Sequence, residues 1–350
     1  SSTSRGLGDV YKRQEFVDQA EGPWMAHVSY IKPHWPYIVP APYHNMFGAN
    51  HVPGALRHEI ERQDPHPVYG AYMGNKIASA FQREEVREKV IPAYMGLIKQ
   101  CDDQLGRLLD HLENTGRMAD TMIVLTSDHG DYLGDHWLGE KDLFHEASVK
   151  VPLIIYDPRS EASSTRGTTC DALVESIDLA ATFVEAAGGS VPEHILEGKS
   201  LMPWLWGQNP SWRDYVISEF DYSPTPQAAK LGLEPRDARL FMVFDGRYKM
   251  MHAEGGMRPM LFDLHEDPEE FHDLAKGSDH QLIIDKLYKD LHHWGLRLSQ
   301  RVTKSEDEII AMRGRSLRRG ILPFLVDGTE VPDELTEKYV GPIRQNFIKD

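Results

Sequence analysis

The chain has 350 residues, of which 41% are hydrophobic and 26% charged, as in ordinary soluble globular proteins long enough for two domains. A formal net charge of −16 opposes nucleic-acid binding, which depends on Lys and Arg side chains that neutralise phosphates. No uninterrupted apolar stretch reaches the length needed to span a bilayer, so we expect neither nucleic acid nor membrane as a partner. Two cysteines, Cys101 and Cys170, do not make a disulfide framework, which favours a reducing, cytoplasmic location.

The first fourteen residues, SSTSRGLGDVYKRQ, lack the apolar core of a signal peptide. We interpret residues 1–14 as a non-native or artefactual leader. Native sequence is then expected from residue 15, with a first domain over residues 15–208. The Pro- and Trp-rich stretch from Pro203 to Trp212 indicates the passage to a smaller second domain over residues 209–300.

Residues Trp24 to Ile31 are predicted to form a buried strand. The strand leads into KPHWPYIVPAPY, whose four prolines hold the segment extended and fix His34 just past the strand end. Taken alone, His34 is better explained as a side chain that packs on Trp35 or Tyr37.

The next segment, residues 44–80, is polar and rich in turn formers, and its scattered histidines lack the spacing of metal ligands on a helix. Apolar residues then recur at helical spacing from Tyr94 to Leu112, with Gly116 as the stop. Asp102 and Asp103 are adjacent on this helix and point in different directions, so we expect them to be solvated or salt-bridged.

Residues Met122 to Leu125 are predicted to form a strand buried on both faces. Asp128 and His129 follow where this strand ends, and Gly130 gives the backbone freedom to turn both side chains toward one point. A carboxylate and a neutral imidazole that converge are two ligands for a divalent cation. The alternative is that both are turn residues that bond to local backbone.

A glycine-punctuated polar loop, Asp131 to Phe144, carries Lys141 and precedes a second predicted strand, Val151 to Tyr156. The succession SDHG, LGDH, a lysine thirteen positions after Asp128, and VPLII resembles the sulfatase branch of the alkaline phosphatase superfamily. Within that branch the sequence is most similar to phosphonate monoester hydrolases and their phosphodiesterase relatives.

This resemblance implies an α/β fold with a mostly parallel sheet flanked by helices and a smaller carboxyl-terminal α+β subdomain. It implies that Asp128 and His129 bind one divalent metal ion, manganese, calcium or zinc. Lys141 would contact a charged oxygen of a small anionic ester substrate, and His34 would contact the substrate or its leaving group. An ammonium and an imidazole suit those roles chemically.

In this family the nucleophile lies on a loop near the start of the chain, in sulfatases in a C-x-P-x-R pattern. Neither cysteine here lies in that pattern, because the two contexts are CDDQL and CDALV. We therefore expect residues 15–208 to be the carboxyl-terminal part of a catalytic domain, and the chain to be inactive by itself.

In the second domain, strands are predicted at Tyr215–Glu219, Phe241–Phe244 and Tyr248–His252, with Asp245-Gly246 as a hairpin turn. Asp267 is predicted to cap a helix that starts at Pro268, with Glu270 completing a capping box. Residues 301–350 are predicted to form an extended tail. The resemblance implies that this tail contacts other subunits of a homo-oligomer.

The predicted function is metal-dependent hydrolysis of phosphonate monoesters or phosphodiesters. Three alternatives remain open at this point. The first is an arylsulfatase, the second a two-zinc phosphodiesterase or transferase of the wider superfamily, and the third a non-catalytic protein that keeps the fold.

Overall fold

The computed structural model describes residues 8–191, 196–296 and 310–313. Its helices are α1 Gly8–Gln19, α2 Pro67–Met73, α3 Lys76–Phe81, α4 Glu84–Asn114, α5 Glu146–Val149, α6 Asp178–Ala186, α7 Met202–Leu205, α8 Pro226–Lys230 and α9 Gln281–Gly295. Its strands are β1 Ile123–Thr126, β2 Leu153–Tyr156, β3 Val216–Asp221, β4 Arg239–Phe244, β5 Tyr248–Ala253 and β6 Met260–Asp263. None of the described helices is both long and apolar enough to cross a membrane.

Helix α1 overlaps the segment interpreted as a leader. Residues 1–7 lie outside the described residues, whereas Gln14 donates a hydrogen bond to the carbonyl of Arg107 on α4 (3.4 Å). The guanidinium of Arg13 lies 4.4 Å from the ring centre of Tyr30. The assignment of residues 1–14 to a non-native leader stays a prediction. The predicted tail contact of residues 301–350 falls almost wholly outside the described residues and also stays a prediction.

The long helix predicted around Tyr94 to Leu112 is confirmed as α4, and Gly116 follows its end with φ +74°. The predicted state of its two aspartates is also confirmed. Asp102 pairs with Lys99 (3.2 Å), and the hydroxyl of Tyr43 donates to Asp103 (2.9 Å). Within the described part of the chain, neither carboxylate belongs to a group of possible metal ligands.

Strands β1 and β2 form a two-stranded antiparallel sheet, with Ile123 opposite Tyr156 and Thr126 opposite Leu153. Both strands were predicted, but burial on both faces was wrong for β1, because Leu125 is 37% exposed and Ile154 beside it is 62% exposed. No third strand of the described residues pairs with this sheet, and no described element buries these two side chains.

The strand predicted at Trp24 to Ile31 is absent. This segment has no regular secondary structure, and Met25 and Ile31 are 67% and 63% exposed. The apolar run alone suggested burial, but a strand also needs a pairing partner, which the described residues do not supply. Both sheets of the described residues are antiparallel, which differs from the mostly parallel sheet that the resemblance implied. The mixture of helices and sheets is that of the expected α/β class.

The part of the chain predicted to form a second domain contains a four-stranded antiparallel sheet in the order β3-β4-β5-β6, which confirms the predicted strands and adds β6. The predicted hairpin turn is present between β4 and β5. Gly246 has φ +93°, and the carboxylate of Asp245 accepts hydrogen bonds from the amides of Arg247 (3.1 Å) and Tyr248 (2.8 Å). Glycine is favoured at 246 because this backbone conformation strains other residues.

The two faces of this sheet pack against different partners, as the twofold alternation of a strand requires. One face, with Val243 and Met250, packs on α9. The other face packs on α2 and on the loop that follows β1, in a core that includes Met242, Met251, Phe262, Tyr69, Tyr132 and Leu143. The sheet thus lies directly behind the loop that carries Lys141.

The helix predicted at Pro268 is absent, and the capping box is therefore wrong. Asp267 instead accepts a hydrogen bond from the amide of His272 (2.7 Å). Glu270 has φ +55°, and its buried carboxylate binds Lys249 of β5 (2.8 Å). A long-range ion pair thus determines the conformation that local capping signals failed to predict.

His66 caps the start of α2 and contacts the segment before β6. Its Nε2 donates to the carbonyl of Arg258 (2.9 Å), and its Nδ1 accepts from the amide of Val68 (3.3 Å), so the neutral ring uses both nitrogens. The ring is 3% exposed, and burial lowers its pKa from 6.5 to about 4. Folding therefore favours the neutral ring.

We predict that His66 makes folding pH-dependent between pH 6.5 and about 4. The unfolded chain binds a proton there that the folded chain does not, so the stabilisation is present above pH 6.5 and is lost as the pH falls. The loss amounts to roughly 3 kcal/mol. Urea unfolding at pH 7.5 and 4.5 should show a smaller pH dependence for His66→Asn than for the parent. His44→Asn, at an exposed position, is the control, and equal pH dependence in both variants would contradict the prediction.

Candidate functional site

Asp128 and His129 lie just past the end of β1 and present their side chains together. The Nε2 atom of His129 is 3.5 Å from Oδ2 of Asp128. The Nδ1 atom of His129 is 2.7 Å from the carbonyl oxygen of Gly130, which can only accept a hydrogen bond. Nδ1 therefore carries the proton and Nε2 keeps its lone pair.

This arrangement fits a divalent cation. Metal-binding histidines usually donate the proton of the second ring nitrogen to a carbonyl or carboxylate, which fixes the ring. The separation of Nε2 and Oδ2 is close to that of two ligands each about 2.0–2.2 Å from one ion. The side chain of Asp128 is 85% exposed and that of His129 is 28% exposed, so further ligands can approach.

Gly130 fixes the strand end against α5. Its amide donates to the carbonyl of Ser148 (2.8 Å), and a Cβ atom at residue 130 would lie 2.0 Å from the carbonyl oxygen of Ala147. No side chain fits at that distance. Glycine is therefore required here for close approach, not only for freedom in the turn that the sequence indicated.

Lys141 and His34 meet on the same side of the molecule. The ammonium of Lys141 is 2.7 Å from Nε2 of His34, and Nδ1 of His34 donates to the carbonyl of Trp35 (2.9 Å). Nε2 of His34 thus accepts a hydrogen bond from the ammonium of Lys141. The rings of His34 and His129 have centres 5.9 Å apart.

All four residues selected from the sequence therefore form one cluster. Its members come from three separate stretches: the proline-rich segment, the end of β1 and the loop after it. The geometry shows that they lie together, whereas their roles in metal binding and catalysis remain predictions.

A fifth polar residue of this region, Asp131, was missed. The hydroxyl of Tyr37 donates to its Oδ2 (2.9 Å), and the amide of Leu133 donates to Oδ1 (3.1 Å). Burial raises the pKa of Asp131, opposed by these hydrogen bonds and by the nearby charges of Lys141 and His129. Its place directly after Asp-His-Gly was the one available signal.

A second group of possible metal ligands is formed by Glu61, His136 and His145, whose ligand atoms lie within 4.8 Å of one another. Sequence reasoning missed this group, because Glu61 lies 75 positions before His136 in the chain. Nδ1 of His136 is 2.6 Å from the carboxylate of Glu61. Nδ1 of His145 is 3.0 Å from the hydroxyl of Tyr132.

The ring geometry argues against metal binding at this second group. The imidazoles of His136 and His145 are stacked with centres 3.8 Å apart and planes 3° from parallel. A nitrogen lone pair lies in the plane of its ring, so lone pairs of parallel rings run side by side and do not converge on one ion. Burial, and then the charge of His136, lower the pKa of His145, which favours a neutral ring packed in the core. The group is best explained as a buried hydrogen-bonded stack.

Two family models match the sequence. The model described as Sulfatase matches residues 10–190, which is more than half of the chain. The model described as N-sulphoglucosamine sulphohydrolase, C-terminal, matches residues 134–296. Together they span residues 10–296.

Similar proteins include the multifunctional alkaline phosphatase superfamily protein PehA of Trinickia caryophylli, 32% identical over 80% of this chain and 57% of that protein. An arylsulfatase of Clostridium perfringens is 28% identical over 77% of this chain and 53% of its own length. The chain thus spans a little more than half the length of these relatives.

Solved structures give the same answer. A phosphonate monoester hydrolase of Agrobacterium radiobacter is 31% identical, with a TM-score of 0.74 over 83% of this chain and 60% of that chain. A phosphonate monoester hydrolase from Silicibacter pomeroyi is also 31% identical, with a TM-score of 0.75 over 84% and 61%. The expected α/β fold of the alkaline phosphatase superfamily is confirmed, and the match of the Sulfatase model across residues 10–190 shows that the chain belongs to the sulfatase family.

Proposed function

We propose that this chain contributes to the active site of a metal-dependent hydrolase that acts on phosphonate monoesters or phosphodiesters. The observation that carries the proposal is the meeting of the Lys141–His34 pair (2.7 Å) with His129, beside Asp128, at one end of β1. The named activity of two similar solved structures, phosphonate monoester hydrolase, supports the substrate class.

Lys141 would bind a charged oxygen of the substrate. Its hydrogen-bond partner is the acceptor Nε2 of His34, and no carboxylate of the described residues forms a salt bridge with it. Its positive charge is therefore not paired directly with a carboxylate. In a chain of net charge −16, this local charge offsets the repulsion that an anionic ester would meet.

His34 would act together with Lys141 at the leaving group. Because Nδ1 of His34 is committed to the carbonyl of Trp35, Nε2 is the nitrogen available to a departing oxygen. When a substrate oxygen takes the place of His34 at Lys141, Nε2 would take up a proton from solvent and, as an imidazolium, donate it to the departing oxygen, so that Lys141 keeps its own charge. Proton transfer at this point suits an alkoxide, which requires a proton as it departs.

Asp128 and His129 would hold one divalent ion, and its identity is left open among manganese, calcium and zinc. When bound, the ion would supply Lewis acidity to an ester oxygen and lower the free energy of the charged transition state. Members of the sulfatase family bind a divalent metal, and the lone pair on Nε2 of His129 fits this use. The nucleophile is not assigned to a residue of this chain.

An arylsulfatase is the second candidate. It is favoured by the arylsulfatase relative and by the match of residues 134–296 to the carboxyl-terminal model of a sulphohydrolase. Lys141 and a metal ion would serve a sulfate ester by the same contacts, so the described geometry does not separate the two substrate classes.

Hydrolysis rates separate the two candidates. We predict that the full-length protein hydrolyses an aryl phosphonate monoester and an aryl phosphodiester with a kcat/KM at least about tenfold above that for an aryl sulfate of the same leaving group, a difference of about 1.4 kcal/mol. Using one leaving group keeps its chemistry constant. A higher kcat/KM for the sulfate would select the arylsulfatase, and no turnover of any ester would contradict both candidates.

Removal of the Lys141 charge should reduce turnover. We expect Lys141→Gln to lower kcat/KM by about 10²–10³, the usual cost of one lost donor to a developing charge. Lys150→Gln is the matched control, because Lys150 is 78% exposed and lies at the far end of the same segment. A loss of the same size in both variants would argue against a specific role for Lys141.

Metal content discriminates between the two groups of possible ligands. We predict that His129→Ala lowers the metal content per chain of the full-length protein, measured by plasma mass spectrometry, because it removes a ligand. His145→Ala should leave the metal content unchanged, since its ring is stacked parallel on His136. The reverse result would place the metal at the Glu61, His136 and His145 group.

A further inference from the structure

A buried ionic cluster joins the second domain to α5. Lys249 of β5 is 1% exposed and reaches across to Glu146, the first residue of α5, and to Phe144, two residues before it. Its ammonium donates to the carboxylate of Glu146 (2.6 Å), to the carboxylate of Glu270 (2.8 Å) and to the carbonyl of Phe144 (3.2 Å). All three ammonium protons are therefore used.

Glu270 completes the cluster from the opposite side. Its carboxylate is 1% exposed, and its second oxygen accepts a hydrogen bond from the amide of Glu146 (2.7 Å). Its backbone has φ +55°, a conformation that costs free energy in a residue other than glycine. The surroundings thus hold Glu270 in a strained conformation that directs its carboxylate toward both Lys249 and the first turn of α5.

Stability alone does not account for this cluster. A buried ion pair gains little over apolar residues of the same volume, because both charges lose their hydration. A charged cluster fixes the positions of its members more strictly than apolar contacts do, since each hydrogen bond has a preferred length and direction. What it fixes here is the start of α5.

The same short helix holds both halves of the candidate site. The hydroxyl of Ser148 donates to the backbone carbonyl of Lys141, and the carbonyl of Ser148 accepts from the amide of Gly130 (2.8 Å). Ala147 leaves no room for a side chain at residue 130. A shift of α5 therefore displaces the backbone of Lys141 and the residue next to His129 together.

We propose that Lys249 and Glu270 are positioning residues: through Glu146 and Ser148 they set the distance between Lys141 and the Asp128–His129 pair. They touch no substrate and act through α5. The second domain thus has a part in catalysis although none of its residues lies in the cluster formed by His34, Asp128, His129 and Lys141. The catalytic consequence rests on the proposed role of Lys141.

The test uses the double variant Lys249→Met/Glu270→Met in the full-length protein. It removes the fully buried ion pair at nearly constant volume, while Glu146, 30% exposed, keeps Lys150 as its partner, so we expect the melting temperature to stay within about 4 °C of the parent. We expect kcat to fall by about hundredfold with KM changed less, as for a misplacement of about 1 Å at a reacting group. Lys150→Met is the control, because Lys150 pairs with Glu146 from the exposed side (3.5 Å).

A combination with Lys141→Gln shows whether the effect passes through the site. If Lys249 and Glu270 act by placing Lys141, the double variant should cost much less in a Lys141→Gln background than in the parent. A hundredfold loss in both backgrounds would overturn the proposal. So would a double variant with parental kcat.

Amide hydrogen exchange tests the positioning independently of catalysis. We expect faster exchange at Gly130, whose amide binds Ser148, and across residues 141–149 in the double variant but not in Lys150→Met. If the parent hydrolyses no ester, the proposed function fails while this measurement still decides the positioning. Unchanged exchange in both variants would overturn it.

Discussion

The close contact between Gly130 and α5 is the constraint on which the candidate site depends. The strand end that carries Asp128 and His129 rests on the carbonyl groups of Ala147 and Ser148, with no space for a side chain at residue 130. Because Ser148 also bonds to the backbone of Lys141, two parts of the site share one support. The positions of His129 and Lys141 are thus set by hydrogen bonds to the backbone of Gly130 and Lys141.

The residues of the site could be predicted because their signals are local. Asp128, His129 and Gly130 directly after a predicted strand allow either a metal site or a turn, and the resemblance to the sulfatase branch, which the loop with Lys141 also carries, favoured the metal site. The prolines around His34 exclude a helix at that residue, but the prediction that they hold the segment extended was wrong, because the chain turns there and the amide of His34 donates to the carbonyl of Ile31 (3.1 Å). Each of these features is independent of what the rest of the chain does, and the structure brings the resulting side chains together.

The failures come from contacts between distant residues. Asp267 and Glu270 have the spacing of a capping box, but the buried ammonium of Lys249, 21 residues away, binds Glu270 instead. An unneutralised buried charge costs more free energy than a missing helix cap, so the ion pair prevails. The exposed strand β1 is a similar case: an apolar run indicates a tendency to be buried, whereas burial itself depends on neighbours that the described residues do not include.

Two lysines show how the surroundings assign different roles to the same side chain. Lys249 is 1% exposed and lies between two carboxylates and a carbonyl, so its charge is neutralised and its protons are used. Lys141 bonds to an imidazole nitrogen and forms no salt bridge with the described residues, so its charge remains available. In a chain with a net charge of −16, carboxylates are plentiful, so the absence of a salt bridge at Lys141 among the described residues needs a local cause. The hydrogen bond from the hydroxyl of Ser148 to the carbonyl of Lys141 and the fixed ring of His34 supply that cause, and such a cation is suited to bind an anionic oxygen.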